Sequence, residues 1–327
     1  MSKSLERTVD ALATYAMAPL KRIGTGLQLI DETIGGPAPG ELGLIVGRSF
    51  TGKSIVAQNI IINNPDVPSI FFSLEMPAVQ VMIRMYSMWA NVDARQVQMA
   101  IDRSLIPDDI YGVVEAFPLH KIVDSPGISL ERMTQTLGDY QQEFGQRPHL
   151  VVIDYLELVG RDRTQDTGQG VENIVVGVKD WAKEQNVAVW AVHQSNLSSK
   201  IWEPVTEDSA RYAGYTQCDF LIGVWRPHRD PTMPESEQRW LQDKFALNVL
   251  KNRALFESID RVLYTVSPSL LLREKDARIS TSDLKVSGEQ SWAGFAAEPS
   301  AHPGARPFPI DQRQSADGDP TTGVVVW

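Results

Sequence analysis

Cysteine is almost absent: the 327 residues hold one, Cys218, so no disulfide forms within the chain and no cysteine-rich zinc site can be built. Histidine is sparse and scattered, at positions 120, 149, 193, 228 and 302, with no pair one helical turn apart to share a metal. No stretch approaches the roughly 20 consecutive apolar residues of a membrane span. The N-terminal MSKSLERTVDALATY lacks the apolar centre of a secretory signal. These absences together point to a soluble protein of a reducing, cytoplasmic compartment. Positive charge is also short, 31 Lys and Arg against 41 Asp and Glu for a net −10, which excludes a protein that coats DNA by bulk electrostatics. Any nucleic-acid site must therefore gather its cations locally. Apolar residues, at 43%, reach the ordinary globular share, enough for a sizeable core.

Residues 4–17 place Leu5, Val9, Leu12 and Ala16 on one face of a helix, and Pro19 ends the pattern. A turn-rich stretch from Gly24 to Gly40 follows. Apolar runs then alternate with helical patterns: 42–46 (LGLIV), 69–74 (SIFFSL), 150–153 (LVVI) and 187–193 (VAVWAVH). None alternates polar with apolar, so each reads as a strand buried on both faces, as in a parallel sheet between helices. Runs at 220–225, 245–250 and 261–266 lack long helices between them and read as strands joined by hairpins at one side of the sheet. Residues 226–244, polar with three prolines, read as a surface excursion. The expected fold is α/β, a mostly parallel twisted sheet flanked by helices with antiparallel strands at one side. Three segments follow: a helical segment 1–20, a core 21–286, and an acidic Pro/Gly-rich tail 287–327 expected to be disordered.

The sharpest motif is Gly47-Arg48-Ser49-Phe50-Thr51-Gly52-Lys53-Ser54, a G-x-x-x-x-G-K-S phosphate loop between an apolar strand and a helical run at 53–63. Its glycines let backbone N–H groups converge on phosphate oxygens at a helix N-terminus, where the helix dipole favours anions. Lys53 would reach the β- and γ-phosphates of ATP, and the Ser54 hydroxyl would ligate Mg²⁺. Asp154, ending the run LVVI, stands where a Walker B aspartate holds Mg²⁺ through its water shell. The next residue is Tyr155 rather than a glutamate, so the carboxylate that orients the attacking water must come from elsewhere. Glu75 follows SIFFSL, a strand expected beside the phosphate-loop strand, and parallel strands deliver their C-terminal ends to one ligand edge. Glu157, three residues past Asp154, is the alternative, read as more solvated. Gln194 closes the fourth run on the same edge, where a neutral amide senses a γ-phosphate without repelling it.

Phosphate loop, post-strand glutamate, Walker B aspartate and strand-end glutamine together resemble the RecA-like ATPases. Phe72-Ser73-Leu74-Glu75-Met76-Pro77 with Gln80, Met82 and Arg84 is similar to the motor domain of DnaB-type replicative helicases. So are Ile153-Asp154-Tyr155-Leu156 and the stretch 178–196, and the resemblance runs over roughly residues 22–270. It implies a homo-oligomeric ring, a hexamer in that family, moving 5′→3′ on single-stranded DNA with ATP hydrolysed between subunits. Lys251-Asn252-Arg253 resembles the family's Lys-x-Arg, whose arginine finger reaches a neighbour's ATP. Ala210-Arg211-Tyr212-Ala213-Gly214 is similar to the pore loop that grips single-strand phosphates through an arginine and backbone amides. Tyr212 either stacks on a base or packs locally; Lys200 is a further phosphate contact; Arg161 and Arg163 sit in a polar loop that is either a contact or a solvated face. A helicase loader or a primase would be a further partner.

The family's N-terminal helical domain has no counterpart in the 20 or so residues before the motor, the layout of a minimal phage or mobile-element helicase, whose compartment would be the host cytoplasm. The helix at 4–17 either docks on the adjacent subunit or packs on its own core. The competing class is a RecA-like DNA-dependent ATPase without unwinding activity, a recombinase, loader or regulatory ring, which shares the phosphate loop. A small-molecule phosphotransferase, with 226–244 as its lid, is the third.

Overall fold

The computed structural model describes residues 22–160, 168–194, 200–207, 216–254 and 258–274, with isolated positions 9–10, 12–13 and 17. The helix expected at 4–17, the loop holding Arg161 and Arg163, the loop holding Arg211, Tyr212 and Gly214, and the tail 287–327 lie wholly or mostly outside them.

Among the described residues the strands are β1 (Leu42–Gly47), β2 (Ser69–Ser73), β3 (His120–Asp124), β4 (Leu150–Asp154), β5 (Ala188–Gln194), β6 (Phe220–Trp225), β7 (Lys244–Asn252), β8 (Ile259–Val266) and β9 (Leu272–Glu274). They form one sheet in the order β3-β2-β4-β5-β1-β6-β7-β8-β9. From β3 to β6 every pairing is parallel; from β6 to β9 every pairing is antiparallel. The helices are α1 (Gln28–Ile34), α2 (Lys53–Ile62), α3 (Ala78–Ala90), α4 (Ala94–Asp102), α5 (Gly112–Ala116), α6 (Leu130–Phe144), α7 (Gly168–Gln185) and α8 (Glu235–Trp240).

The helices cover both faces of the sheet, which is why the central strands read as unbroken apolar runs. On one face Ile45, Phe71, Val152, Trp190 and Ile222 pack with α1 and α2; on the other Leu44, Phe72, Ile153 and Val189 pack with α6 and α7. Local signals set the helix ends. Ser129 caps α6 by accepting the Arg132 N–H at 3.3 Å, and Gly145 ends it in the left-handed conformation. Asp93 caps α4 by accepting the Arg95 N–H at 2.8 Å.

One expectation is corrected. β2 does not lie beside the phosphate-loop strand β1; its neighbours are β3 and β4, and β5 and β6 flank β1. The strand carrying Glu75 is adjacent instead to the one ending in Asp154, with Ser73 opposite Asp154. The excursion 226–244 is also not a bare loop: it contains a 3₁₀ turn at Pro227–Arg229 and α8, and Leu241 is buried against Trp225 and Leu263.

A buried ion pair ties the sheet's far edge together. Asp219, just before β6, accepts the Leu42 N–H at 2.8 Å, the Lys179 ammonium of α7, and Arg253 Nη1 at 3.2 Å. Lys179 also donates to the Gly40 carbonyl at 2.8 Å. Removing one partner of a pair this deeply buried strands the other charge away from water. Asp219→Ala is therefore expected to lower the unfolding free energy by about 3–5 kcal/mol, measured by urea denaturation; a loss below about 1 kcal/mol, the range of an exposed pair, would show that Lys179 finds water.

Candidate nucleotide-binding site

The loop after β1 turns back sharply before α2, and two glycines make that turn possible. A Cβ on Gly47 would stand 2.4 Å from the Val224 carbonyl oxygen. Gly52 has φ +102°, and its Cβ would enter the Phe245 ring. The loop is thus pressed against β6 and β7 at the edge where β1, β2, β4 and β5 end. Gly47→Ala is expected to destabilise the fold by about 1–3 kcal/mol and to weaken binding of inorganic tripolyphosphate at least about ten-fold. Urea unfolding and calorimetric titration measure the two effects, and unchanged binding would show that the loop geometry is not needed.

That edge carries a cavity of about 570 Å³. Lys53, Ser54, Glu75, Asp154 and Gln194, which the sequence singles out, all line it. Lys53 is buried and donates to the Arg48 carbonyl at 2.8 Å. Burial lowers its pKa to about 8, against the raising pull of Glu157, Asp154 and Glu75. Ser54 Oγ donates to Asp154 Oδ1 at 3.1 Å, across 100 residues of sequence. Asp154 is buried, which raises its pKa to about 6; the Ser54 bond and Lys53 oppose the rise and Glu75 adds to it. Glu75 is exposed at the cavity's lip, two residues past β2, where the Leu74 N–H donates to the Asp154 carbonyl at 2.7 Å. Gln194 ends β5, opposite Gly47 in register, and its Nε2 donates to Ser49 Oγ at 2.7 Å.

The donor set fits a divalent cation with phosphate. Asp154 Oδ2 is buried without a hydrogen-bond partner, next to the Ser54 hydroxyl. Two hard oxygens facing a cavity whose other wall is a phosphate loop match the coordination Mg²⁺ takes with polyphosphates.

Two cavity residues escaped the site reading of the sequence. Arg84 lines the cavity from α3, one helical turn past Gln80, and burial lowers its pKa while Asp154 and Glu75 pull it back up. The signal was the i, i+4 spacing of Gln80 and Arg84 on one helix face. Arg226, immediately after β6, lies with its guanidinium 4.4 Å from the centroid of the Phe245 ring and also lines the cavity. Burial lowers its pKa to about 10, with Arg229 adding to the effect. Nothing local in the excursion's sequence distinguishes it.

Glu157 requires a correction: it is not a solvated turn residue. Its Oε1 accepts the Gln194 N–H at 2.7 Å and lies 2.8 Å from His193 Nδ1.

Lys251 and Arg253 are not brought to this cavity. β7 runs antiparallel to β6, so its end lies at the opposite edge, with Phe220 facing Asn252 in register. Lys251 donates to the Thr216 carbonyl at 3.2 Å, and Arg253 pairs with Asp219 beside Leu42. Leu42 and Gly47, where the phosphate loop starts, are the two ends of β1, five residue steps or about 17 Å apart. Lys200 is exposed, 3.8 Å from Glu203 and 5.4 Å from the Trp202 ring centroid. Arg211, Tyr212 and Gly214 lie outside the described residues.

Strand order, phosphate loop and strand-edge carboxylates together define a RecA-like P-loop NTPase fold. The model of the DnaB-like helicase C-terminal domain matches residues 22–203, more than half of the chain, and the chain belongs to that family. The replicative DNA helicase DnaB of Pasteurella multocida is 28% identical over 239 residues, covering 68% of this chain and 51% of that protein. The DnaB of Rickettsia conorii is 27% identical over 296 residues, covering 83% and 57%. The chain thus spans about half the length of the curated relatives it matches. Among solved structures, the ATPase domain of G40P superimposes with a TM-score of 0.67 at 18% identity, over 84% of this chain and all of that one. A DnaB-like replicative helicase, described with its interactions with primase, gives 0.66 at 18% identity over 82% and 67%. Among the described residues no helix is long and apolar enough to cross a membrane.

Proposed function

We infer that the chain is the motor of an ATP-dependent replicative DNA helicase, hydrolysing ATP between copies of itself in a ring and moving along single-stranded DNA. The observation that carries this reading is the separation of charge between two sheet edges. Lys53, Ser54, Asp154 and Glu75 converge on one cavity, while the cations Lys251 and Arg253 stand about 17 Å away on the other edge. A single chain cannot bring both sets to one triphosphate. A second copy stacked edge to edge can, which makes the interface the place of hydrolysis and a closed ring, a hexamer in this family, the assembly that repeats it.

On this reading the phosphate-loop amides of residues 47–54 and Lys53 hold the triphosphate. Ser54 would ligate Mg²⁺ directly and Asp154 through its water shell; when bound, the ion neutralises charge on the phosphate oxygens. Glu75 orients the attacking water and accepts its proton, from an exposed position at the lip where water arrives freely. Gln194 hydrogen-bonds at the γ-phosphate position. Arg226, with its guanidinium 4.4 Å from the Phe245 ring centroid, offers a cationic surface to the nucleobase. Lys251 and Arg253 of one copy stabilise the charge that develops on the γ-phosphate held by the next.

Lys200, Arg211 and the Gly214 amide would meet single-strand phosphates, with Tyr212 stacking on a base. Residues 21–286 form the motor, 1–20 dock on the adjacent subunit, with Val9 and Leu12 exposed for that contact, and 287–327 form an acidic tail. A primase or a helicase loader is a further partner on family membership alone. Cytoplasm, or host cytoplasm, is the compartment.

Steady-state ATP hydrolysis by the purified chain is expected to rise with single-stranded DNA. A forked duplex is expected to open with ATP and to stay closed with a non-hydrolysable analogue. Glu75→Gln should leave ATP binding in place and cut turnover by about 10²–10⁴-fold; near-normal turnover in that variant would contradict the assignment.

A further inference from the structure

Glu157 is the carboxylate to which the ATP-site reading gives no direct contact with nucleotide or water, although its charge helps hold Lys53 protonated. It lies in the one-turn 3₁₀ segment Leu156–Leu158, directly after the Walker B aspartate and Tyr155. Its side chain turns inward, 17% exposed, beside the buried His193.

The reason lies in the sheet. The ladder between β4 and β5 ends at the pair Ile153 and Ala191, three residues before β5 itself ends at Gln194. Past that point β4 has turned away, and the Gln194 N–H has no strand carbonyl on that side. A backbone donor at such a place needs an acceptor. Glu157 Oε1 supplies it at 2.7 Å, a charge-assisted bond, and the same oxygen lies 2.8 Å from His193 Nδ1. On the opposite face of the strand the Gln194 amide donates to Ser49 Oγ in the phosphate loop at 2.7 Å. The last residue of β5 is thus held twice, by its backbone through Glu157 and by its side chain through the phosphate loop.

We propose that Glu157 is a positioning residue: its carboxylate stands in for the missing ladder bond and fixes the end of β5 so that the Gln194 amide stays at the phosphate loop. The inference rests on reading the cavity as an ATP site. It separates Glu157 from Glu75, because Glu157 acts as a hydrogen-bond acceptor for the protein and not as a base for water. An acceptor role is satisfied by an amide oxygen; a base role is not.

The test uses the full chain and its Glu157→Ala and Glu157→Gln variants. Three quantities are read: affinity for a non-hydrolysable ATP analogue, kcat and KM for ATP, and amide hydrogen exchange at the end of β5 with the analogue bound. Glu157→Ala is expected to lower kcat by about ten- to hundred-fold, the cost of a misplaced group, well beyond the change in analogue affinity and KM that follows from the lost pull on Lys53. Exchange at the end of β5 should quicken. Glu157→Gln loses the same pull on Lys53 as Glu157→Ala but keeps the acceptor for the Gln194 N–H, so it should bring exchange back to near wild type and kcat at least about ten-fold above Glu157→Ala.

Wild-type kcat and exchange in Glu157→Ala would overturn the proposal. So would a Glu157→Gln variant that binds the analogue and has lost turnover as Glu75→Gln does, because the charge itself would then be needed. Should Glu157→Ala fail to fold, Glu157→Gln alone decides between acceptor and base. A wild-type chain that binds no analogue would overturn the ATP reading and the proposal with it, and that result comes before any substitution is made.

Discussion

The direction of the strands governs everything built on this sheet. β1, β2, β4, β5 and β6 run the same way, so the residues that leave them emerge at one edge; β7 runs back, so the residues that leave it emerge at the other. A hydrogen-bonded sheet has no way to bend one edge onto the other. The phosphate loop, Asp154, Glu75 and Gln194 therefore meet within a chain, and Lys251 and Arg253 are left on the far side. The proposed division of labour between subunits follows from one reversal of chain direction at residues 226–243.

Burial shapes the cavity's electrostatics. Lys53 and Asp154 are both almost wholly removed from water, and each is pushed toward its neutral form by that removal. Lys53 is held toward its charged form by Glu157 first, then by Asp154 and Glu75, and Asp154 by the Ser54 hydrogen bond first, then by Lys53 and Arg84. Such a cluster gains when further charge arrives in matched amounts: phosphate for the cations, a divalent ion for the carboxylates. The same logic explains the far edge, where the buried Asp219 is satisfied by Lys179, Arg253 and a backbone amide at once, anchoring the base of Arg253 while its side chain stays 64% exposed.

Much of this was legible in the sequence, for physical reasons. Strands buried on both faces leave unbroken apolar runs, so β1, β2, β4, β5 and β6 are readable to within a residue or so at each end, and the lack of long helical patterns after residue 220 shows where the sheet turns antiparallel. β3 was not readable, because it is an edge strand, only partly covered, with polar residues at both ends (HKIVD). β9 is three residues long, below what periodicity can register. Strand order lay beyond the reading as well, since crossover connections through helices leave no mark on the order of neighbours; Glu75 reaches the right edge beside β4, not beside β1. Within the cavity, residues attached to a motif were found. Arg226 was not, because a buried guanidinium in a proline-rich excursion looks like any surface arginine, and Glu157 looked solvated because its partner, an unpaired strand-end amide, exists only once the sheet is formed.

The central claim is that the site is shared between two copies, and mixing two inactive variants tests it most directly. Lys53→Ala removes the phosphate-binding lysine and leaves the far edge intact; Arg253→Ala does the reverse. Each alone should hydrolyse ATP at least about 10³-fold more slowly than wild type, the scale of a lost arginine finger. Combined in equal amounts and reassembled, they should regain hydrolysis, because some interfaces then pair an intact phosphate loop with an intact finger. A mixture no more active than its two components would contradict the shared site and return hydrolysis to the single chain.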